Sequence, residues 1–243
     1  MPLIVLSVII QAIFIVHAHK TGRRDWIWIL LMIPVAGCIF YFFLEMLPDM
    51  RNSRTGRKTV HKVLKTIDPE RDLKRLAKEL AISEKTQNKL NLAEECTANG
   101  FYQEAIDLYH SALVGLYKTD PRIMLSLAQV LFLNQQYAES KIMLERLIAE
   151  NPDFKSQDGH LLYARTLEYL GENEPALAEY KTLAVYFSGY EAKCRYALLL
   201  QKLGYTEQAH AMFKEILARA DTMPSNFRKV QQEWINIAKQ QLS

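Results

Sequence analysis

Three arginines, Arg122, Arg165 and Arg195, are the residues whose type and spacing point to chemistry. A guanidinium grips a carboxylate through two parallel hydrogen bonds, so a strip of arginines is equipment for recognition. Asn91, Glu94, Ser126, Gln129, Phe132 and Tyr169 fall at related positions and offer amide, carboxylate, hydroxyl and aromatic contacts. The plainer alternative stays open, that these are ordinary solvated helix positions. Catalysis has no comparable pattern. His17, His19, His61, His110, His160 and His210 are scattered, without HExxH spacing or a Ser/His/Asp order. Glycine-rich phosphate loops are absent. Cys38, Cys96 and Cys194 form no CxxC or Cys/His metal spacing, and three unpaired thiols suit a reducing compartment. The reading is of a protein that is not an enzyme, with no cofactor and no metal.

The elements that position these residues repeat. Ala93, Ala128, Ala164 and Ala197 lie 35, 36 and 33 residues apart. Ala105, Ser140, Ala176 and Ala209 keep the same separations, as do Tyr109, Leu144, Tyr180 and Phe213. Each unit reads as a first helix, a break and a second helix, with the break at Gly100, Asn134-Gln135, Gly171 and Gly204. Small residues let two helices cross closely, and the larger residue fills the groove between neighbours. A single pair cannot bury its apolar face, so the units must stack. A period near 34 with these residue types resembles the tetratricopeptide repeat family.

That resemblance implies an all-α helical solenoid of about four helix pairs whose first helices line a groove that binds a protein or peptide. Residues one after or two before the alanine of each first helix would face it. These are Asn91, Glu94, Ser126, Gln129, Arg165, Arg195 and Leu198, with Leu162 reading as core. Phe132, Glu168, Tyr169, Gln201 and Lys202 would lie a turn further on. The family's clamp for a C-terminal carboxylate needs Lys and Asn four residues apart in the first unit; Leu90 and Glu94 stand there instead.

The ends of the array are also expected to be helical. Asp68-Pro69-Glu70 reads as a helix start, with Leu73, Leu76, Ala77 and Leu80 on one face packing under the first unit. Ser83 is expected to cap the next helix, and the second helix to run from Tyr102 to about Tyr117. Asp158-Gly159 reads as a turn. Phe227, Val230, Trp234, Ile237 and Ala238 place one apolar face on a closing helix over Ser225–Leu242.

The first 50 residues differ. Pro2–Val16 is apolar apart from Ser7 and Gln11, and Trp26–Leu44 carries no charge. The second run would extend about 29 Å as one helix. A two-helix transmembrane hairpin over 1–47 is expected, rather than a cleaved signal peptide, because no Lys or Arg precedes the first run. Trp26, Pro34, Gly37 and Tyr41 resemble the N-terminal membrane module of cardiolipin synthases in the phospholipase D superfamily. The superfamily's catalytic His-x-Lys is missing at all six histidines, so the resemblance implies an anchor and no phospholipase activity.

Residues 51–78 hold ten Lys/Arg against three acids, a net +7 in a chain of net +3. This basic linker, 48–67, sets topology or docks on anionic headgroups through Arg51, Arg54, Arg57 and Lys58. No motif supports nucleic acid as a partner. Charge around the spans places residues 68–243, the repeat domain, on the cytoplasmic side of a bacterial-type inner membrane. The functional expectation is a membrane-anchored scaffold for assembly or regulation of an envelope complex. The alternative is an accessory factor in lipid metabolism that binds anionic phospholipid and recruits an enzyme.

Overall fold

The computed structural model describes residues 2–22, 24–32, 34–41, 44–45 and 70–242. The basic-linker candidates Arg51, Arg54, Arg57 and Lys58 lie outside them. The chain divides into two compact units, residues 1–72 and 73–243, and all regular elements described are helices.

In the first unit, α1 (Pro2–Lys20), α2 (Arg24–Met32) and α3 (Pro34–Tyr41) pack on one another. The single span expected over Trp26–Leu44 is instead two short helices of 9 and 8 residues, about 13 and 12 Å long. Pro34 supplies the reason. It has no amide hydrogen to continue the α2 ladder, and it suits the first position of a new helix. Gly37 then lets α3 fold back, since a Cβ there would sit 3.1 Å from the Ile29 carbonyl oxygen. The expected two-span hairpin is thus a cluster of three helices, and among the described residues no helix is long and apolar enough to cross a membrane. Polar groups face inward. Gln11 Nε2 donates to the Leu30 carbonyl at 2.7 Å, His17 Nδ1 meets the Tyr41 hydroxyl at 2.9 Å, and Trp26 Nε1 donates to Glu45 at 3.1 Å.

The second unit is the solenoid. Its starter helix is α4 (Arg71–Ile82). The four pairs are α5 (Thr86–Ala98) with α6 (Tyr102–Ala112), α7 (Pro121–Leu133) with α8 (Tyr137–Glu150), α9 (Gln157–Tyr169) with α10 (Asn173–Tyr186), and α11 (Glu191–Lys202) with α12 (Thr206–Thr222). Two short helices, α13 (Ser225–Val230) and α14 (Gln232–Gln240), close it. Each helix packs on the next from α5 to α12. All three repeating phases are buried: the alanines, and Tyr109, Leu144, Tyr180 and Phe213 between neighbouring helices. Ser140, the one serine among the small positions, is fully buried and donates its hydroxyl to the Ala128 carbonyl at 2.8 Å, which satisfies its polar atom where α7 and α8 cross. Helix α9 is the shared wall of two cores. Leu162 packs with the first two pairs and Leu161 with the last two.

Local chemistry explains the boundaries. Asp120 caps α7 by accepting from the amides of Arg122 and Ile123. Gln135 takes φ 62 at the break where the other units have glycine, so the left-handed turn persists without one. Ser83 does not cap α5; it accepts from Asn88 Nδ2 through its carbonyl, and α5 starts at Thr86. Helix α6 stops at Ala112 rather than near Tyr117, with Gly115 at φ 56 opening a 3-10 turn. Gly159 is no turn: it lies inside α9, where a Cβ would come 3.2 Å from Leu125. The closing helix is interrupted at Gln231, which shifts the buried face to Ile235 and Ala238 and leaves Val230 in solvent. Leu76 is buried and Leu73 packs against the first core, as the starter helix requires.

Candidate recognition groove

The first helices α7, α9 and α11 share one face, and a cavity of about 230 Å³ opens between them. Leu125, Gln129 and Phe132 of α7, Asp158, Leu162 and Arg165 of α9, and Glu191 of α11 contribute to its lining. Three positions read from the repeat phase therefore converge here: Gln129, Phe132 and Arg165. Phe132 is buried, and the Arg165 guanidinium stands over its ring at 4.7 Å. Tyr169 meets the Phe132 ring edge-on at 5.2 Å and stacks on Tyr137 at 4.8 Å. One aromatic cluster thus underlies one cation.

Arg165 is the electrostatic centre of the groove. Its Nε is buried and has no hydrogen-bond partner. Burial, and then the neighbouring Arg195 guanidinium, hold its pKa below the usual arginine range. The Glu191 charge acts on Arg165 in the opposite sense, but the nearby carboxylates hydrogen-bond other groups. Glu191 accepts from Arg195 Nε at 2.8 Å, and Glu168 accepts from the Tyr180 hydroxyl at 2.6 Å. Burial and the Glu168 charge raise the Tyr180 pKa in turn.

The expected strip of three arginines is not assembled. Arg122 is exposed in the first turn of α7 and does not line the cavity. Arg195 is committed twice, to Glu191 and to the Trp234 ring at 5.0 Å. The i,i+4 spacing of Glu191 and Arg195 was a legible sign of that pairing. In the first unit, Asn91 accepts from Gln87 Nε2 and Glu94 is exposed. Ser126 lies beside the buried Tyr109 hydroxyl. These three line no cavity with Arg165. Leu90 packs on the first core, so the carboxylate-clamp position is filled by an apolar contact.

A larger cavity, about 640 Å³, lies against the second helices α8 and α10 and the start of α9. Leu144, Leu147, Ile148 and Phe154 give it an apolar floor, and His160, Glu179 and Tyr186 form its polar wall. His160 joins that wall together, bonding Glu179 through Nε2 and Tyr186 through Nδ1, each at 2.5 Å. In the sequence His160 is only one of six scattered histidines. Its partners lie 19 and 26 residues away, and no local pattern announces them. Elsewhere Cys194 is buried with its thiol pushed up to about 12, which makes it unreactive. Among the described residues, no cluster of three His, Cys, Asp or Glu is arranged to hold a metal ion.

The comparisons agree with this architecture. A tetratricopeptide repeat family model matches residues 97–165, ending on Arg165. No match is found among curated protein sequences. The crystal structure of MamA is similar at 20% identity, covering 62% of this chain and 87% of that one, with a TM-score of 0.54. YrrB, described as a TPR protein with an unusual peptide-binding site, is 17% identical over 68% of this chain and 91% of its own, with a TM-score of 0.50. The pilF protein of Pseudomonas aeruginosa is 16% identical over 93% of this chain and 99% of its own, with a TM-score of 0.52. At these identities the likeness is one of fold: a tetratricopeptide-repeat-like helical solenoid.

Proposed function

We propose that the solenoid is a binding scaffold that holds a segment of another protein in the groove formed by α7, α9 and α11. The observation that carries this reading is Arg165: a cation over an aromatic ring, at a cavity wall, with an unpartnered buried donor. Buried donors are nearly always satisfied, and an acceptor on an incoming segment would give the Arg165 guanidinium a partner that no protein atom gives its Nε. YrrB, of similar fold, is described as having a peptide-binding site. The test is a photo-crosslinking residue placed at Gln129 in the full-length protein in cells, with His110, exposed on a second helix, as control. Adducts at Gln129 alone support the groove. Adducts of equal yield at both positions, or at neither, count against it.

The N-terminal unit is proposed to hold this scaffold at a membrane. Gln11, His17 and Trp26 bond within the unit, whereas Ile13, Val16, Trp28, Leu31, Met32 and Phe40 are exposed. An apolar exterior of this kind is unfavourable in water and suits lipid or another apolar surface. In this reading the cytoplasmic face of a bacterial-type inner membrane and the assembly of an envelope complex are the setting. Release of the full-length protein by high salt without detergent would contradict the membrane assignment; retention until detergent is added is expected.

A further inference from the structure

The groove reading leaves the ligand's chemistry open, and the side chains around Arg165 narrow it. A guanidinium carries five donors and no acceptor. Here one face of the plane rests on Phe132, and Nε is already shielded from water. A segment lying along the groove removes much of the water that still reaches the other donors. A cation desolvated in this way needs a counter-charge as well as hydrogen bonds. The protein supplies one only in part, since the Glu191 charge that acts on Arg165 is shared with Arg195. Glu191 is held by Arg195, and Glu168 by the Tyr180 hydroxyl. Asp158 is exposed in the first turn of α9, about 10 Å along the helix from Arg165. The cavity of about 230 Å³ is also below the usual size of a small-molecule or cofactor pocket, about 300–1,000 Å³. It has room for a side chain.

We infer that the bound segment places an aspartate or glutamate side chain on the Arg165 guanidinium, with an apolar side chain of the same segment against the exposed edge of the Phe132–Tyr169 cluster. This rests on the groove reading and gives it a ligand class: an extended or helical stretch pairing an acid with a nearby large apolar residue. Arg195 is a second cation beside the first, and its commitment to Glu191 and Trp234 keeps it as a wall of the site rather than a second grip. A backbone carbonyl on Arg165 would satisfy one donor but leave the charge uncompensated.

The test uses the full-length protein in detergent micelles and a library of random dodecapeptides on beads. Wild-type protein is expected to select peptides enriched in Asp or Glu at a fixed spacing from an apolar residue. Arg165→Gln should lose the acidic enrichment, Arg165→Lys should keep part of it, and Arg122→Gln should leave it unchanged. For one selected peptide, the affinity should fall about ten- to a hundredfold with Arg165→Gln. Selection of peptides with no acidic preference, provided that Phe132→Ala abolishes their binding, would overturn this inference and leave the groove reading standing. The same enrichment by wild type and Arg165→Gln would also overturn it. Failure of the wild-type protein to select any peptide would overturn both.

Discussion

The solenoid has a small groove on its first helices and a larger cavity on its second helices, and the two differ in a way that size conceals. In the larger cavity, His160 bonds both Glu179 and Tyr186, so these three polar groups of its wall satisfy one another. In the smaller one, Arg165 rests on Phe132 with a buried donor that nothing accepts from. Among the described residues, the buried side-chain polar atoms without a partner are Arg165 Nε, Asn173 Oδ1 and the Tyr190 hydroxyl oxygen, and the one on a residue lining this cavity is that of Arg165. The outer network ties α9 to α10, while recognition is the role proposed for the inner cation.

The largest effect is expected at Phe132. Phe132→Ala should cost about 3–5 kcal/mol in urea unfolding, as for other buried aromatics, and should abolish groove binding, because Arg165 loses its platform. A loss below about 1 kcal/mol would show that the aromatic cluster is not part of the core. A sharper test is His160→Ala. It should lower stability by about 1–3 kcal/mol through the loss of both bonds and leave peptide selection by the groove unchanged; altered selection would move recognition to the outer cavity. A smaller effect belongs to pH. Bonding to Lys193 holds the Glu215 carboxyl below the usual carboxylate range. Its contribution to stability is therefore complete above the ordinary carboxylate pKa and is lost as pH falls through the lowered one. Lys193→Gln should flatten that part of the acid limb of a pH–stability profile without touching binding.

Much of this was legible in the chain because repeats carry their own register. The alanine and aromatic phases placed the helix pairs, and the step after each alanine placed Gln129 and Arg165 in the groove. Gln135 shows that the break in the second unit follows from the register even without glycine. What the register does not show is which polar residues already have partners. Arg195 satisfies the same phase rule as Arg165 but is held by Glu191, a local pairing, and by Trp234, 39 residues on. The His160 network is likewise built from helix ends brought together only by stacking. In the first unit, hydropathy marked Trp26–Leu44 as continuous because it weighs side chains; the missing amide of Pro34 and the close approach at Gly37 are backbone effects.

The most direct test of the central claim needs no partner. Arg165→Met keeps an unbranched apolar stem and removes the guanidinium with its charge. In urea unfolding of the full-length protein in detergent micelles, followed by far-ultraviolet circular dichroism, its unfolding free energy should stay within about 0.5 kcal/mol of wild type, or rise. The lost cation–π contact, about 0.5–1 kcal/mol, is offset by relief of an unpaired, half-buried charge. A loss of more than about 2 kcal/mol would contradict the account, since it would show that Arg165 is engaged in holding the fold rather than free for a ligand.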